Sequence, residues 1–290
     1  MELTQLRYFQ TAAYYQHISR AAEELNISQP ALSTMISRLE KELGVPLFDH
    51  NGRAIILNQN GQRFLQRVNH ILMEVENSKR ELQDIADEGD NSISLAVSSS
   101  QFLQGMHAFM YQHPNYKWNQ RVAENKEIAA LLNRGQIDLA VTSPGIYGEV
   151  FESTLLLRDI FKLAVHKDNP LAQRKSVRLE ELTDQRFIML LKGLPFRAQT
   201  DRIFADLGIT PHYIMECDHL LRRELINANA GVTIASQSAS FRHLFSENIR
   251  FLDIEDVHHT RDIVMVHRKG RYLNRASRQF ADFLKQKFSP

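Results

Sequence analysis

Apolar residues in the first part of the chain recur every three or four positions, a spacing typical of helices with one buried face. Four such residues predict a first helix: Leu3, Leu6, Phe9 and Ala13. A second, short helix begins at Ser19, and a third begins at Ser28 and ends at Gly44, because serine caps helix N-termini and glycine ends helices. The third helix buries its own apolar stripe of Leu32, Ile36, Leu39 and Leu43. The pattern therefore predicts three short helices packed together.

The polar face of the third helix lies opposite its buried stripe. It comprises Ser28, Gln29, Pro30, Ser33, Thr34, Ser37, Arg38 and Lys41. Hydroxyl and amide groups can hydrogen-bond base edges or phosphates, and arginine and lysine neutralise phosphates. Beyond the helix, Asn51-Gly52 predicts a tight hairpin whose tip carries Arg53. Such an arrangement is typical of a winged helix-turn-helix that binds DNA, and a generic three-helix packing domain is the alternative.

A heptad pattern follows the hairpin. It consists of Phe64, Val68, Ile71, Val75, Leu82 and Ile85, with Ser78 as its polar position. A helix with such a seam needs a partner, so we expect residues 59–89 to form a linker helix through which two copies associate. The alternative is that the seam packs against the chain's own domain. The run Glu88-Gly89-Asp90 then ends the helix and marks a domain boundary.

Strand and helix patterns alternate from residue 90 to the carboxyl terminus, which predicts an α/β domain with a mostly parallel sheet. We expect two similar lobes joined by two crossover strands. Lobe I comprises about 91–161 and 267–290, and lobe II about 162–266. Within lobe I, the apolar spacing over 102–111 predicts a helix. With residues 1–58 as the DNA-binding domain, the fold is a multidomain α+β chain.

Ligands of open α/β sheets bind at the carboxyl ends of strands, where helix N-termini point at anions. The candidate effector-binding residues at such places are Ser98, Ser99, Ser100, Gln101, Thr142, Ser143, Phe196 and Arg197. A polar turn at 98–100 and a surface role for Arg197 are the alternatives. Arg222-Arg223 is interpreted as a solvated face or an interface, and Cys217 as a small core residue.

Charge and composition narrow the function classes. Residues 1–58 carry one net negative charge, so DNA affinity must come from local placement of cations. Residues 91–290 carry a net charge of +5, which favours an anionic effector. The single cysteine excludes a disulfide framework within the chain, and no apolar run is long enough to span a bilayer. No nucleotide-binding, hydrolase or metalloprotease motif occurs, so we expect no cofactor, no metal site and no enzyme.

The chain resembles the LysR-type transcriptional regulators, densely over about the first 65 residues and sparsely beyond them. The matching blocks, whose spacing also fits the family, are residues 6–9, 19–25, 28–33, 36–44 and 46–48. Thr34 and His50 depart from the family pattern, because basic residues are common at or near these positions. The resemblance implies that Ser28–Ser33 begins a recognition helix, and that the carboxyl-terminal domain resembles periplasmic binding proteins with an effector in the cleft between two lobes.

The resemblance also implies partners. They are a pseudo-palindromic promoter site in double-stranded DNA, a small-molecule effector, further copies of the chain as a dimer or a dimer of dimers, and RNA polymerase. A cytoplasmic protein with no membrane association is expected, since the amino terminus lacks the features of a signal peptide. A solute-binding protein with an accessory helical domain and an enzyme acting on a cleft ligand are the rival hypotheses.

Overall fold

A computed structural model of the chain describes residues 1–51, 54–86, 91–236, 238 and 245–288. These residues form two compact units. The first unit contains Met1–Asp90 together with two short segments, Asn133–Gln136 and Gly270–Asn274. The second unit contains Asn91–Leu132, Ile137–Lys269 and Arg275–Pro290.

The first unit begins with three helices, a two-stranded antiparallel hairpin and one long helix. Their bounds are α1 Leu3–Tyr15, α2 Ile18–Glu24, α3 Gln29–Leu43, β1 Phe48–Asn51, β2 Ala54–Leu57 and α4 Gln59–Ile85. The predicted ends of α3 are confirmed. Ser28 Oγ accepts a hydrogen bond from the Ala31 amide over 3.3 Å, and Gly44 ends the helix with a φ of 70°.

The core of the three helices is centred on Phe9, which is fully buried. Its ring centroid lies 5.5 Å from that of Phe48 and 5.1 Å from that of Phe64. Ala21 and Ala22 are also buried, so α2 can approach its neighbours closely. The hairpin and the start of α4 thus pack against the helices, and the predicted winged helix-turn-helix is confirmed.

The apolar seam of α4 divides into two parts. Val68 is fully buried in the winged helix-turn-helix core, and Phe64 packs against the same core. The prediction that Val68 faces a second copy is wrong, because the helix turns this side chain towards its own domain. Phe64 is half-buried, so its contact with a second copy stays a prediction. Ile71, Leu82 and Ile85 are exposed, and Val75 is half-buried. The most exposed side chains of the seam therefore lie in the later part of α4.

A third face of α4 packs within the first unit against the segment Gly270–Asn274. Asn77 is buried there, and its side chain donates to the Gly270 carbonyl over 2.7 Å and accepts from the Tyr272 amide over 2.8 Å. The Tyr272 hydroxyl also donates to Asp84 over 3.0 Å. One face of α4 thus packs on the winged helix-turn-helix, a second is exposed and a third contacts the segment Gly270–Asn274. A single heptad pattern does not distinguish these three faces.

Lobe I of the second unit is built around parallel strands and covered by helices. Its elements are β3 Ser92–Val97, a 3₁₀ turn Ser100–Leu103, α5 His107–Gln112, β4 Lys117–Val122, α6 Asn125–Asn133, β5 Leu139–Thr142 and the last helix, α9 Arg275–Phe288. Strand β3 pairs in parallel with β4 and β5. Phe280, on the inner face of α9, is fully buried against this sheet.

Lobe II repeats the pattern. Its elements are 3₁₀ turns at Pro170–Gln173 and Leu179–Leu182, β7 Ser176–Val177, β8 Phe187–Leu190, α7 Pro195–Asp206, β9 Tyr213–Cys217, α8 His219–Asn227, β10 Thr233–Ser236 and β11 Ile249–Ile254. Strand β8 pairs in parallel with β9, and β10 and β11 pair with the end of the long strand β6 Phe151–His166. Cys217 is buried, as predicted.

Two long strands join the lobes: β6 Phe151–His166 and β12 Thr260–Arg268. The first ten residues of β6 pair antiparallel with β12 in lobe I, and its last six pair with β10 and β11 in lobe II. The second crossover therefore precedes Thr260 rather than lying at 266–267. The boundary drawn from the sequence falls too late because β12 begins before its most apolar residues.

One predicted helix of lobe I is also wrong. Residues 102–111 form the end of a 3₁₀ turn, a loop with Gly105 at a φ of 79°, and the short helix α5. The positive φ at Gly105 interrupts the helical backbone that the apolar spacing suggested. Among the described residues, no helix is long and apolar enough to cross a membrane.

Candidate functional site

The outer face of α3 is a polar surface. Gln29, Ser33, Ser37, Arg38 and Lys41 are exposed, while the opposite stripe of α3 is buried. Ser28 and Pro30 are also exposed at the start of the helix. An exposed helix with short polar side chains followed by two cations has the shape and chemistry for entry into the major groove of DNA.

Three residues of this face make hydrogen bonds within the domain. Ser28 caps the helix, Gln29 Oε1 accepts from Ser19 over 3.1 Å, and Thr34 Oγ1 donates to the Pro30 carbonyl over 2.8 Å. The hydroxyl of Thr34 is thereby oriented, with a lone pair left for an outside donor. Arg53 lies outside the described residues, so its predicted role at the wing tip stays a prediction.

Two adjoining cavities lie between the lobes of the second unit, with volumes of about 200 Å³ and about 120 Å³. Lobe I contributes the turn after β3, including Ser100 and Gln101, to both cavities. Lobe II contributes Phe196 and His219, and β12 contributes Arg261. The larger cavity is also lined by Arg222 of α8. We call the larger one the arginine cavity.

Several predicted effector residues are near these cavities. Ser98, Ser99, Ser100, Gln101, Ser143 and Phe196 line at least one of them. The Ser143 amide donates to Ser98 Oγ over 3.0 Å, and Ser143 Oγ accepts from Arg261 Nε over 3.1 Å. Thr142 is fully buried and lines neither cavity. Contact of these residues with an effector stays a prediction.

The prediction for Arg197 is wrong. Its guanidinium lies 2.6 Å from Asp201 and 2.7 Å from Glu216, and it also donates to the Leu190 carbonyl. The side chain is buried in these contacts and lines neither cavity. Arg197 therefore joins α7 to the β8–β9 pair and leaves no room for an effector's charge.

Arg222, interpreted from the sequence as part of a solvated face or an interface, is buried within the chain instead. Burial lowers the pKa of Arg222 and that of Arg261 to about 10, so both guanidiniums stay charged at neutral pH. Their Cζ atoms lie 5.5 Å and 4.8 Å from the centroid of the Phe196 ring. Two cations therefore flank one aromatic ring at the cavity wall.

His219 is held uncharged beside these cations. Burial, followed in size by the positive charges of Arg222 and Arg261, lowers the pKa of His219 from 6.5 to about 4. The imidazole is consequently neutral at physiological pH. The arginine cavity therefore presents cations, a neutral imidazole and an aromatic ring, a lining suited to an anion.

The low pKa of His219 makes stability depend on pH. The unfolded chain binds a proton to this residue near pH 6.5, whereas the folded chain does so only near pH 4. Above pH 6.5 the contribution of neutral His219 to the free energy of unfolding is fully present, and it is lost as the pH falls towards 4. Urea unfolding should show this decline, and the decline should be shallower in His219→Gln than in wild type. Equal slopes in the two proteins would contradict the burial of a neutral imidazole.

Within the described ranges, no cluster of histidine, cysteine, aspartate or glutamate is arranged to hold a metal ion. The fold and the two surfaces together define the class of protein: a winged helix-turn-helix regulator with a two-lobed ligand-binding domain.

Comparisons with known proteins identify the family. Residues 3–62 match the family described as "Bacterial regulatory helix-turn-helix protein, lysR family", and residues 87–289 match "LysR substrate binding domain". An uncharacterised HTH-type transcriptional regulator, YybE of Bacillus subtilis, is 31% identical over 294 residues, covering 100% of both chains. The dual regulator GltC of the same species is 29% identical over 300 residues, covering 100% of this chain and 98% of GltC.

Solved structures show the same fold. A full-length OxyR variant of Pseudomonas aeruginosa has a TM-score of 0.61 at 20% identity, covering 99% of this chain and 94% of OxyR. Full-length CbnR in complex with its target DNA has a TM-score of 0.53 at 22% identity, covering 100% of both chains. The chain belongs to the LysR family of DNA-binding transcriptional regulators, with an effector-binding domain after its helix-turn-helix.

Proposed function

We propose that this chain, as a homo-oligomer, binds promoter DNA through the exposed face of α3 and changes its DNA binding when a small anion occupies the arginine cavity. The observation that carries the DNA part is the row of exposed polar and cationic side chains, with Ser33 and Arg38 at its middle. Phosphates would pair with Arg38 and Lys41, and the hydroxyls would contact base edges. Arg53, which the sequence pattern puts at the tip of the wing, would contact a flanking minor groove or a phosphate.

The proposal explains how a domain with one net negative charge binds a polyanion. Arg38 and Lys41 share the exposed face of α3, whereas the buried stripe faces the core. Since phosphate affinity depends on local placement of cations, one copy would bind weakly and two copies on one site would bind tightly. Pairing of copies is therefore part of the proposed function. The active protein is cytoplasmic and catalyses no reaction of its ligand.

The experiment selects fragments from genomic DNA of the source organism with the purified full-length protein. We expect a small set of enriched fragments that share an interrupted inverted repeat. A Ser33→Ala/Arg38→Ala variant, selected in parallel at the same salt concentration, should enrich none of them. Recovery of the same fragments by the variant would assign DNA binding to another surface.

Pairing is tested at the exposed end of α4. Leu82 and Ile85 are 67% and 74% exposed, and burial of each against a second copy would contribute about 1.5–3 kcal/mol. Leu82→Ser/Ile85→Ser should therefore weaken self-association at least about tenfold in sedimentation equilibrium. Tyr111→Ser, an exposed aromatic on α5, is the matched control. Unchanged association of the double variant would contradict a seam at this end of α4.

A further inference from the structure

Three side chains that line the arginine cavity have buried polar atoms with no hydrogen-bond partner among the described residues. They are Gln104 Oε1, His219 Nδ1 and Arg222 Nε. The hydrogen bond that Arg222 makes within the described residues joins Nη1 to the Ile234 carbonyl over a long 3.3 Å. Buried polar groups are nearly always paired in folded proteins, so these three side chains have hydrogen-bonding capacity to offer a ligand of the cavity.

The unpaired atoms specify complementary groups. Arg222 Nε is a donor on a charged group, and a carboxylate oxygen is its strongest partner. Gln104 Oε1 is an acceptor, so the ligand must also present an N–H or O–H donor. The imidazole of His219 can donate or accept at Nδ1, depending on its tautomer. A ligand that fills this pattern needs both a carboxylate and a donor.

The charges around the cavity indicate whether the donor of the ligand is a charged ammonium or a neutral hydroxyl. Arg222, Arg223 and Arg261 line the cavity, and no aspartate or glutamate does so within the part of the chain that the structure describes. Asp159, buried behind the wall, favours the charged form of Arg261. A zwitterion would leave the positive charge of the wall unbalanced and would add an ammonium beside two guanidiniums. A neutral hydroxyl avoids this repulsion.

The backbone at Gln104 is held by the last helix. Lys287 of α9 donates to the Gln104 carbonyl and, over 3.4 Å, to the Phe102 carbonyl, which holds the 3₁₀ turn in place. Because the cavity is only about 200 Å³ in volume, a ligand that reaches Arg222 is also close to the lobe I wall that carries Gln104. One small molecule can thus satisfy both lobes.

We infer that the effector is a small hydroxycarboxylate, with its carboxylate on Arg222 of lobe II and its hydroxyl donating to Gln104 of lobe I. This inference rests on the proposed function, because it names the chemistry of the effector at the same cavity. A ligand bound in this way bridges the lobes, so its two polar groups both contribute to closing the cleft.

The experiment measures affinities of the full-length protein for matched probe pairs by isothermal titration calorimetry. The pairs are lactate with propionate, mandelate with phenylacetate and 3-hydroxybutyrate with butyrate, and alanine and phenylglycine serve as zwitterions. An unpaired buried acceptor costs enough to weaken binding about tenfold, so at least one hydroxycarboxylate should bind about tenfold more tightly than its deoxy partner. The affinity for that hydroxycarboxylate should also exceed the affinity for the amino acid with the same carbon skeleton.

Variants locate the donor contact. In Gln104→Leu, affinity for the preferred hydroxycarboxylate should fall to that of its deoxy partner, while affinity for the deoxy compound stays within about twofold of wild type. Gln112→Leu, at an exposed position on α5, should keep the wild-type preference. Since the readout is a ratio of two ligands on one folded variant, a general loss of stability does not imitate it.

Three results would overturn the inference. Equal affinity for the hydroxy and deoxy acids would show that the ligand's hydroxyl makes no contact with Gln104. Tighter binding of the amino acids would show that the donor is an ammonium group. No binding of any probe would contradict a small hydroxycarboxylate as the effector. In each case fragment enrichment by the wild-type protein would still stand as the test of the proposed DNA binding. If instead the wild-type protein enriched no genomic fragment but still preferred a hydroxycarboxylate to its deoxy partner, the proposed DNA binding would be contradicted and the inference about the ligand would stand.

Discussion

Replacement of Arg222 by methionine should make the protein more stable and at the same time unable to bind its anion. In the absence of ligand, Arg222 is a buried cation with a single long hydrogen bond and with no carboxylate partner among the described residues. Substituting buried charges by apolar groups of similar volume often stabilises a protein by about 1–4 kcal/mol. Urea unfolding should therefore give a higher free energy of unfolding for Arg222→Met than for wild type.

The same substitution should weaken binding of the preferred carboxylate probe at least about thirtyfold, because removal of one partner of a buried charge pair costs about 2–5 kcal/mol. Arg202→Met is the matched control. Arg202 lies on α7 in the same lobe, with its side chain 76% exposed and 3.7 Å from Asp206. Arg202→Met should change neither the free energy of unfolding nor the affinity for the carboxylate probe appreciably. Reduced stability of Arg222→Met would show that the native fold already satisfies this charge, and would count against an anion site.

Alanine in place of Arg38 should lower affinity for an enriched DNA fragment by about 10–100-fold, since a phosphate or base contact from arginine contributes about 1–3 kcal/mol. Arg38 is exposed on α3, more than two turns beyond the capping residue Ser28. If it pairs with a phosphate, the slope of log affinity against log salt should decrease by about one, and the loss should be similar for all sequences. If it contacts a base, the loss should be confined to the enriched site.

The control for Arg38→Ala is Lys79→Ala. Lys79 is on α4, its side chain is 62% exposed and it lies 3.8 Å from Glu76. Both substitutions remove one exposed cation from the first unit, so general electrostatics would weaken binding equally. Fluorescence anisotropy at several salt concentrations separates the two cases. Equal effects of the two substitutions would contradict a recognition surface on α3.

Much of the first unit could be predicted from the sequence because its signals are local. Ser28 and Gly44 mark the ends of α3 by backbone chemistry alone, and the periodic stripe of Leu32, Ile36 and Leu39 settles which face is exposed. Period and caps are properties of neighbouring residues. The polar face of α3 therefore followed without any knowledge of the tertiary structure.

The effector cavity could be predicted only in part. Loops at the carboxyl ends of strands follow from the α/β pattern, which led to Ser98–Gln101 and Ser143. Which arginine faces the cavity depends on how a helix is rotated on its sheet. Arg197 and Arg222 both lie near helix starts in lobe II, yet the first is bound by Asp201 and Glu216 and the second lines the cavity. No local signal distinguishes them.

The seam of α4 shows the same limit in another form. Val68 and Ile71 are successive positions of one heptad pattern, but one is buried in its own domain and the other is 37% exposed. A heptad identifies an apolar stripe and not the surface that covers it. The length of the helix decides the division, because its first turns pass over the winged helix-turn-helix and its last turns extend beyond it.

Binding of DNA by two α3 helices from paired copies of this chain can be seen in a cleavage-protection footprint on an enriched genomic fragment. We expect two protected segments related by an inverted repeat, with centres about 10–10.5 base pairs or a multiple of that apart. In Arg38→Ala both segments should lose protection at the same protein concentration. A single protected segment without symmetry, or protection that Arg38→Ala retains in full, would contradict the account.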